Sequence, residues 1–200
     1  KPIRVGFEGN SPESIIKCLA FKEVKFCAFT KLYRREIVEK VPFLEGVIYE
    51  DIYTGMNYLK YIRKMVAVDL KGYYYRVRPN SIMTTSFNEK NLDIISVGNK
   101  LVESFQDDEY LSPYIGYFMF YIGLSHYQRD GITKKNPYVD LYENFIRDSV
   151  FIAKQSQEVV RKYRLLRLYL IAPKYFLTIT HPAYQFLYKG WTSFRKLIRK

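Results

Sequence analysis

The switch from strand-like to helical patterning constrains the fold of this chain more than any other feature. Segments with the β-branched and aromatic content of short strands are found before residue 80. They are Val24 to Phe29, Met65 to Leu70 and Tyr73 to Val77. From Asn91 onward apolar residues recur every three or four positions, which is the spacing of one helical face. The pattern predicts a part with strands followed by a helical part.

Two helices are expected among the strands. Thr30 is placed to cap a helix that Pro42 ends. Glu50-Asp51 precedes a second helix, because apolar residues follow it in steps of four, three and three at Ile52, Met56, Leu59 and Ile62.

The helical part contains three further apolar patterns. The first is the stripe of Ile94, Val97, Leu101 and Phe105. The second covers Tyr114 to Tyr127, and the third is expected to continue as one long helix from Tyr138 to Pro173. A last helix is predicted over residues 183–198.

Composition narrows the class of protein. A chain of 200 residues that is 48% hydrophobic and 26% charged is globular and long enough for one good core. The two cysteines, Cys18 and Cys27, are too few for a disulfide framework or a zinc site, which favours a reduced, cytoplasmic setting. Cys27 is expected to be a small apolar core residue.

Positive charge is concentrated at the C-terminal end. Residues 154–200 hold eleven basic side chains and one acid, and so account for +10 of the net charge of +12. Such a tail indicates an anionic partner. Trp191, Phe194 and Leu197 share one helical face there, which suits a helix lying on the inner face of the plasma membrane. Docking of that stripe onto the protein itself remains an equal alternative.

Single-stranded nucleic acid is a weaker candidate for this anionic partner than a membrane. Tyrosines beside basic residues can stack single-stranded bases. Here the tyrosines are concentrated in predicted core helices, and the chain carries no RNA-module signature. We therefore expect no nucleic-acid partner.

Two charged pairs could carry chemistry. Asp51 falls in the first turn of its helix, where the helix dipole stabilises a carboxylate by about 0.3–1 kcal/mol. It is either a simple helix-capping acid or a general base kept ionised at neutral pH. Arg76 and Arg78 are two apart on a predicted strand and share a face, with Tyr73, Tyr75 and Val77 packing on the other. They either clamp a diphosphate or form a solvated strand face.

An ordered set of motifs resembles one enzyme family. In chain order these are residues 27–35 (CAFTKLYRR), Phe43-Leu44-Glu45-Gly46, Glu50-Asp51, and residues 75–82 (YRVRPNSI). The set is similar to the second half of a family-two glycosyltransferase of the GT-A fold, of the bacterial type that builds capsule, exopolysaccharide or lipopolysaccharide. It covers roughly residues 25–85.

The resemblance implies an α/β fold and a set of roles. Residues 1–85 would be the acceptor-side half of a GT-A domain, and residues 86–200 a helical extension with a basic tail. Asp51 would be the catalytic base, and Arg76 and Arg78 would face the diphosphate of a nucleotide-sugar donor. Lys31 and Glu50 would line the same cleft, and the acceptor would be a glycan or a lipid-linked sugar.

The chain also departs from the family pattern. Leu44 stands where the family loop often has proline. The family's nucleotide-binding strands and its Asp-x-Asp motif for a divalent cation, Mg or Mn, are missing, and Asp107-Asp108 comes too late in the chain to replace that motif. The donor-binding half is therefore expected to precede Lys1. The runner-up interpretation is a non-catalytic module for membrane or protein interaction, built on the basic tail.

Overall fold

A computed structural model describes residues 5–11, 14–16, 27–70, 72–76, 87–129 and 136–177. Within them the strands are β1 (Val5–Gly9) and β2 (Met65–Val68). The α-helices are α1 (Arg35–Val38), α2 (Glu50–Asn57), α3 (Asp93–Ser104), α4 (Ser112–Arg129), α5 (Val139–Ala153), α6 (Gln157–Lys162), α7 (Arg164–Ile171) and α8 (Pro173–Tyr175), with 3-10 turns at Tyr58–Lys60 and Glu89–Leu92.

The two described strands pair antiparallel as a small ribbon. Gly9 lies opposite Met65 and Glu8 opposite Val66, and the register shifts between Val5 and Phe7. Lys64 and Glu8 form an ion pair of 2.6 Å at one end. β2 was predicted, whereas β1 was not, because the first residues of the chain carry no clear alternation.

The other predicted strands differ from the structure. In the described end of the segment at 24–29, Cys27 has no regular structure, Ala28 lies in a bend and Phe29 in a turn. Tyr73 to Arg76 lie outside any strand, although the sequence predicted one there, while Val77 and Arg78 are outside the described residues. The described part is mostly helical, and the α/β GT-A class stays a prediction.

The predicted helix at Glu50-Asp51 is confirmed, since α2 begins at Glu50. The predicted helix after Thr30 is wrong over its first turn. Thr30 has φ of 75°, so the chain enters a turn there, and helical structure starts only at Arg35.

The core is built around α4. This helix is buried on almost all sides, and the stripe on α3 that the sequence predicted is fully buried against the same cluster. Close packing of α4 depends on glycine. A Cβ at Gly116 would lie 2.7 Å from the backbone nitrogen of Ala153 on α5. Residues from before and after the predicted division at 85, such as Met56 and Ile94, belong to one hydrophobic cluster.

The single long helix expected from Tyr138 to Pro173 is three helices. α5 ends at Ala153, and α6 starts anew because the Ser156 side chain accepts a hydrogen bond from the Val159 backbone N–H at 3.3 Å. Tyr163 then takes an extended conformation, and its ring stacks on Tyr117 of α4 at 3.9 Å. Capping and aromatic packing outweigh the continuous apolar pattern.

Candidate functional site

The first turn of α2 is held by a strained residue. Tyr49 precedes Glu50 and has φ of 71°, a left-handed conformation that bulky side chains rarely adopt. Asn91 Nδ2 and Arg129 Nη2 donate hydrogen bonds to its hydroxyl at 3.1 and 2.7 Å. The His126 ring lies edge-on to the Tyr49 ring at 4.8 Å. These contacts, from α4 and from the turn before α3, fix the conformation of Tyr49 and so the direction in which α2 starts.

A second strained residue precedes Lys31. Thr30 and Tyr49 are the non-glycine residues with positive φ in the described part of the chain. Lys31 Nζ donates a hydrogen bond of 2.6 Å to the carbonyl oxygen of Cys27, which folds the side chain back over the turn. Cys27 is half-buried with its Sγ 4.0 Å from Lys31 Nζ, so its predicted role as a core residue is only partly correct. Strained backbone of this kind is concentrated at functional sites.

Asp51 and Lys31 are close enough to influence each other's protonation. Burial raises the pKa of Asp51, and the neighbouring charge of Glu50 raises it further. The backbone N–H of Ile52 and the ammonium of Lys31 oppose that rise. Burial lowers the pKa of Lys31, while the charges of Cys27 and Asp51 raise it. Desolvation is the largest effect on both groups, and it makes Asp51 a stronger base than an exposed aspartate.

Two tyrosines extend the site beyond the residues that the sequence singled out. Burial raises the pKa of Tyr33 to about 12, and Tyr58, Cys27 and Asp51 act on it in the same direction. The rings of Tyr33 and Tyr58 lie 5.1 Å apart. Tyr58 is 1% exposed, and its hydroxyl has no hydrogen-bond partner among the described residues. The site therefore contains phenol groups as well as a carboxylate and an ammonium.

One sequence signal could have found Tyr58. It follows Asp51 by seven positions, and the 3-10 turn continues α2, so the two residues share a helical face. Tyr33 gave no such signal, because its place beside Tyr58 depends on how the loop packs.

The tyrosine-arginine segment lies against the Lys31 turn. Phe29 stacks on Tyr73 at 4.8 Å and on Tyr75 at 5.5 Å. Both tyrosines are still more than half exposed, so the prediction that they pack on one face of a strand is only partly correct. Arg76 follows them and is exposed. The structure thus brings together Asp51, Glu50 and Lys31. It places Arg76 on the neighbouring segment, and Arg78 lies outside the described residues.

The residues of this site are poorly suited to bind the divalent cation that the family resemblance implies. In the part of the chain that the structure describes, no group of three or more His, Cys, Asp or Glu side chains is placed to hold a metal ion. Glu50 and Asp51 are adjacent carboxylates, but the positive charge of Lys31 beside Asp51 repels a second cation. The described residues therefore do not fit a Mg or Mn ion.

Comparison with known proteins adds no relative. No family model, curated protein or solved structure matches this chain. As for membranes, the helices in the described ranges are all too short or too polar to span a bilayer.

Proposed function

We propose that residues 1–85 of this chain are the acceptor-side half of the catalytic domain of an inverting glycosyltransferase, with Asp51 as general base. The observation that carries the proposal is the environment of Asp51. Its carboxylate lies in the first turn of α2, just after the strained Tyr49, and burial desolvates it. The Lys31 ammonium is close enough to act on its pKa. A desolvated carboxylate with a raised pKa holds a proton more readily than an exposed one, as a base must when it accepts one.

In the proposed reaction Asp51 takes the proton from a hydroxyl of a glycan or lipid-linked acceptor. The hydroxyl oxygen then attacks the anomeric carbon of the sugar from the side opposite the diphosphate. A new C–O bond forms, the bond from that carbon to the diphosphate oxygen breaks, and the nucleoside diphosphate leaves with the electron pair. The configuration at the anomeric carbon is inverted.

The other predicted residues have supporting roles. Arg76 and Arg78 would offset the negative charge that grows on the departing diphosphate. Lys31 favours the ionised form of Asp51, because its positive charge lowers the pKa of that carboxyl group. Glu50 opposes Lys31 in this respect. The family resemblance implies a separate donor-binding half, and the Mg or Mn ion of the family would belong to that half.

The proposed location is the cytoplasmic side, with the basic tail against an anionic leaflet. The tail residues 183–200 lie outside the described part of the chain. They also carry the alternative function, a non-catalytic membrane or protein-interaction module. A transfer assay separates the two, because only the first requires Asp51.

The decisive experiment is a transfer assay on the complete natural protein that contains this chain. Asp51→Asn should lower the release of nucleoside diphosphate from a nucleotide-sugar donor by about 10²–10⁴-fold, the usual contribution of a general base. Glu103→Gln, a control at an exposed acid of α3, should retain the turnover. Circular dichroism should show both variants folded. Unchanged turnover in Asp51→Asn would overturn the assignment.

A further inference from the structure

A groove lies beside α2 on the face turned away from Asp51. It consists of two adjoining clefts of about 490 and 310 Å³ that share Lys40, Lys60 and Tyr61. Tyr53 and Asn57 line the smaller cleft, and Tyr53 follows Asp51 by two residues, which is roughly half a helical turn. The groove is therefore separate from the Asp51 site.

The charge of the groove is positive. The larger cleft adds Arg63 to the two shared lysines, and the lining residues of both clefts include no carboxylate in the part of the chain described here. Asp108 is near enough to Lys60 to act on its pKa, which burial lowers. Lys60 Nζ also donates to the carbonyl oxygen of Ser104 and so is fixed to the end of α3. Lys40 and Arg63 are exposed, as Lys60 is, and neither is tied to the end of α3 in this way.

Aromatic faces lie among these cations. Lys40 Nζ sits 4.8 Å from the centre of the Tyr61 ring. Tyr61 and Phe43 are each 39% exposed, and Tyr53 completes the aromatic lining of the smaller cleft. Asn57 is 4% exposed and contributes a buried amide at the groove wall. Apolar ring faces pack against the C–H faces of a sugar, and amides and hydroxyls such as that of Ser104 bind its hydroxyl groups.

We propose that this groove binds a phosphorylated sugar. A phosphate monoester carries about 1.5 to 2 negative charges at neutral pH. This charge is attracted by a cluster of lysine and arginine that contains no acidic side chain. The sugar ring occupies the aromatic part near Tyr61 and Phe43, and the phosphate lies between Lys40 and Arg63. The site does not depend on sugar transfer at Asp51 and serves as a second binding site on the same domain.

The test is calorimetric titration of the full chain with glucose 6-phosphate, with glucose and inorganic phosphate as separate probes. Glucose 6-phosphate should bind more tightly than either. The double variant Lys40→Met, Arg63→Gln should weaken its binding by about tenfold or more, because two charge-assisted hydrogen bonds are lost. Both side chains are exposed, so the fold should be retained, as circular dichroism would verify.

Two controls make the result specific. Lys154 sits over the Phe151 ring at 4.6 Å, in the same geometry as Lys40 over Tyr61, and Lys154→Met should leave binding unchanged. Asp51→Asn should also bind normally, since Asp51 lies on the other face of α2. The proposal is overturned if glucose 6-phosphate does not bind, if it binds no better than inorganic phosphate, or if the double variant binds like the unaltered chain. Loss of binding in Asp51→Asn would place the ligand in the other site and overturn it as well.

Discussion

At the scale of single residues, the protonation of Asp51 depends on two neighbours of opposite charge. Glu50 raises its pKa and Lys31 lowers it, while burial raises it more than either neighbour changes it. The folded-state pKa is therefore above the unfolded value. Between the two values the folded protein binds more protons, so the free energy of unfolding falls as pH rises through this window.

This arrangement predicts two pKa changes of opposite sign. Lys31→Met removes the positive charge, so the Asp51 pKa should rise. Glu50→Gln removes the negative charge, so the Asp51 pKa should fall. Carbon-detected NMR titration of the Asp51 carboxyl group measures both directly and needs no substrate. In a transfer assay the acid limb of the pH–rate profile should move in the same two directions. If the Asp51 titration curve of both variants is the same as that of the unaltered protein, neither charge acts on Asp51.

The buried tyrosines predict a second contrast. Tyr114 Oη donates a hydrogen bond of 2.7 Å to Glu158 Oε1, whereas the Tyr58 hydroxyl is buried without a hydrogen-bond partner among the described residues. Tyr114→Phe should lower the free energy of unfolding by about 1.5 kcal/mol. Tyr58→Phe should leave it unchanged or raise it by about 1 kcal/mol, because a desolvated hydroxyl is removed.

Urea denaturation followed by circular dichroism measures both tyrosine changes. A large loss of stability in Tyr58→Phe would mean that its hydroxyl has a partner after all. If instead Tyr58→Phe is at least as stable as the unaltered protein but loses sugar transfer, the Tyr58 hydroxyl contacts the ligand and lowers the stability of the fold.

At the scale of elements, the helix interfaces depend on glycines that differ in what surrounds them. A Cβ at Gly116 would meet backbone of α5, the nitrogen of Ala153 at 2.7 Å. A Cβ at Gly98 would meet the far ends of Phe145 and Met119 at 2.6 and 2.7 Å. Side-chain ends can rotate away, whereas a helix backbone must shift as a whole.

Gly116→Ala should therefore lower the free energy of unfolding more than Gly98→Ala does, although the contact distances at the two glycines are alike. We expect about 2–3 kcal/mol for Gly116→Ala and about 1 kcal/mol for Gly98→Ala, within the range for overpacked cores. Thermal or urea unfolding of the two variants gives the comparison. Equal costs would indicate that α5 moves away from α4 as easily as a side chain rotates.

The sequence was sufficient to predict the helices whose apolar residues are regularly spaced. α2 and α3 follow from spacing alone, and the carboxylates at the start of α2 were found in the same way. The break of the long predicted helix was less visible, although Ser156 is a good N-cap residue and offered a signal.

The shape of the candidate site was beyond prediction for a physical reason. Thr30 and Tyr49 adopt positive φ, which residue type alone disfavours, and only tertiary contacts such as the hydrogen bonds to the Tyr49 hydroxyl stabilise it. The contact between Tyr33 and Tyr58 likewise joins a loop to a distant helix. Local sequence could supply the charged residues but not the strain and desolvation around them.

At the scale of the whole molecule, the predicted acceptor half and helical extension share one hydrophobic cluster. Ile52, Met56 and Leu59 from the first unit are buried with α3 and α4 of the second. Two units that share a core lose apolar burial together when either one opens. The position of Asp51 is thus tied to the stability of the helical extension, since α2 contributes Ile52 and Met56 to the shared cluster.

This shared core predicts that a cavity in the first unit destabilises the second. Met56 is fully buried, and Met56→Ala should lower the free energy of unfolding by about 2–5 kcal/mol. Native-state hydrogen exchange should show the same loss for the slowest amides of α5, far along the chain from the substitution. Val66 is 45% exposed on β2, and Val66→Ala should change the free energy of exchange of these amides by less than about 0.5 kcal/mol. If Met56→Ala speeds exchange in α2 while the α5 amides keep their protection, the two units unfold independently and the shared cluster does not couple them.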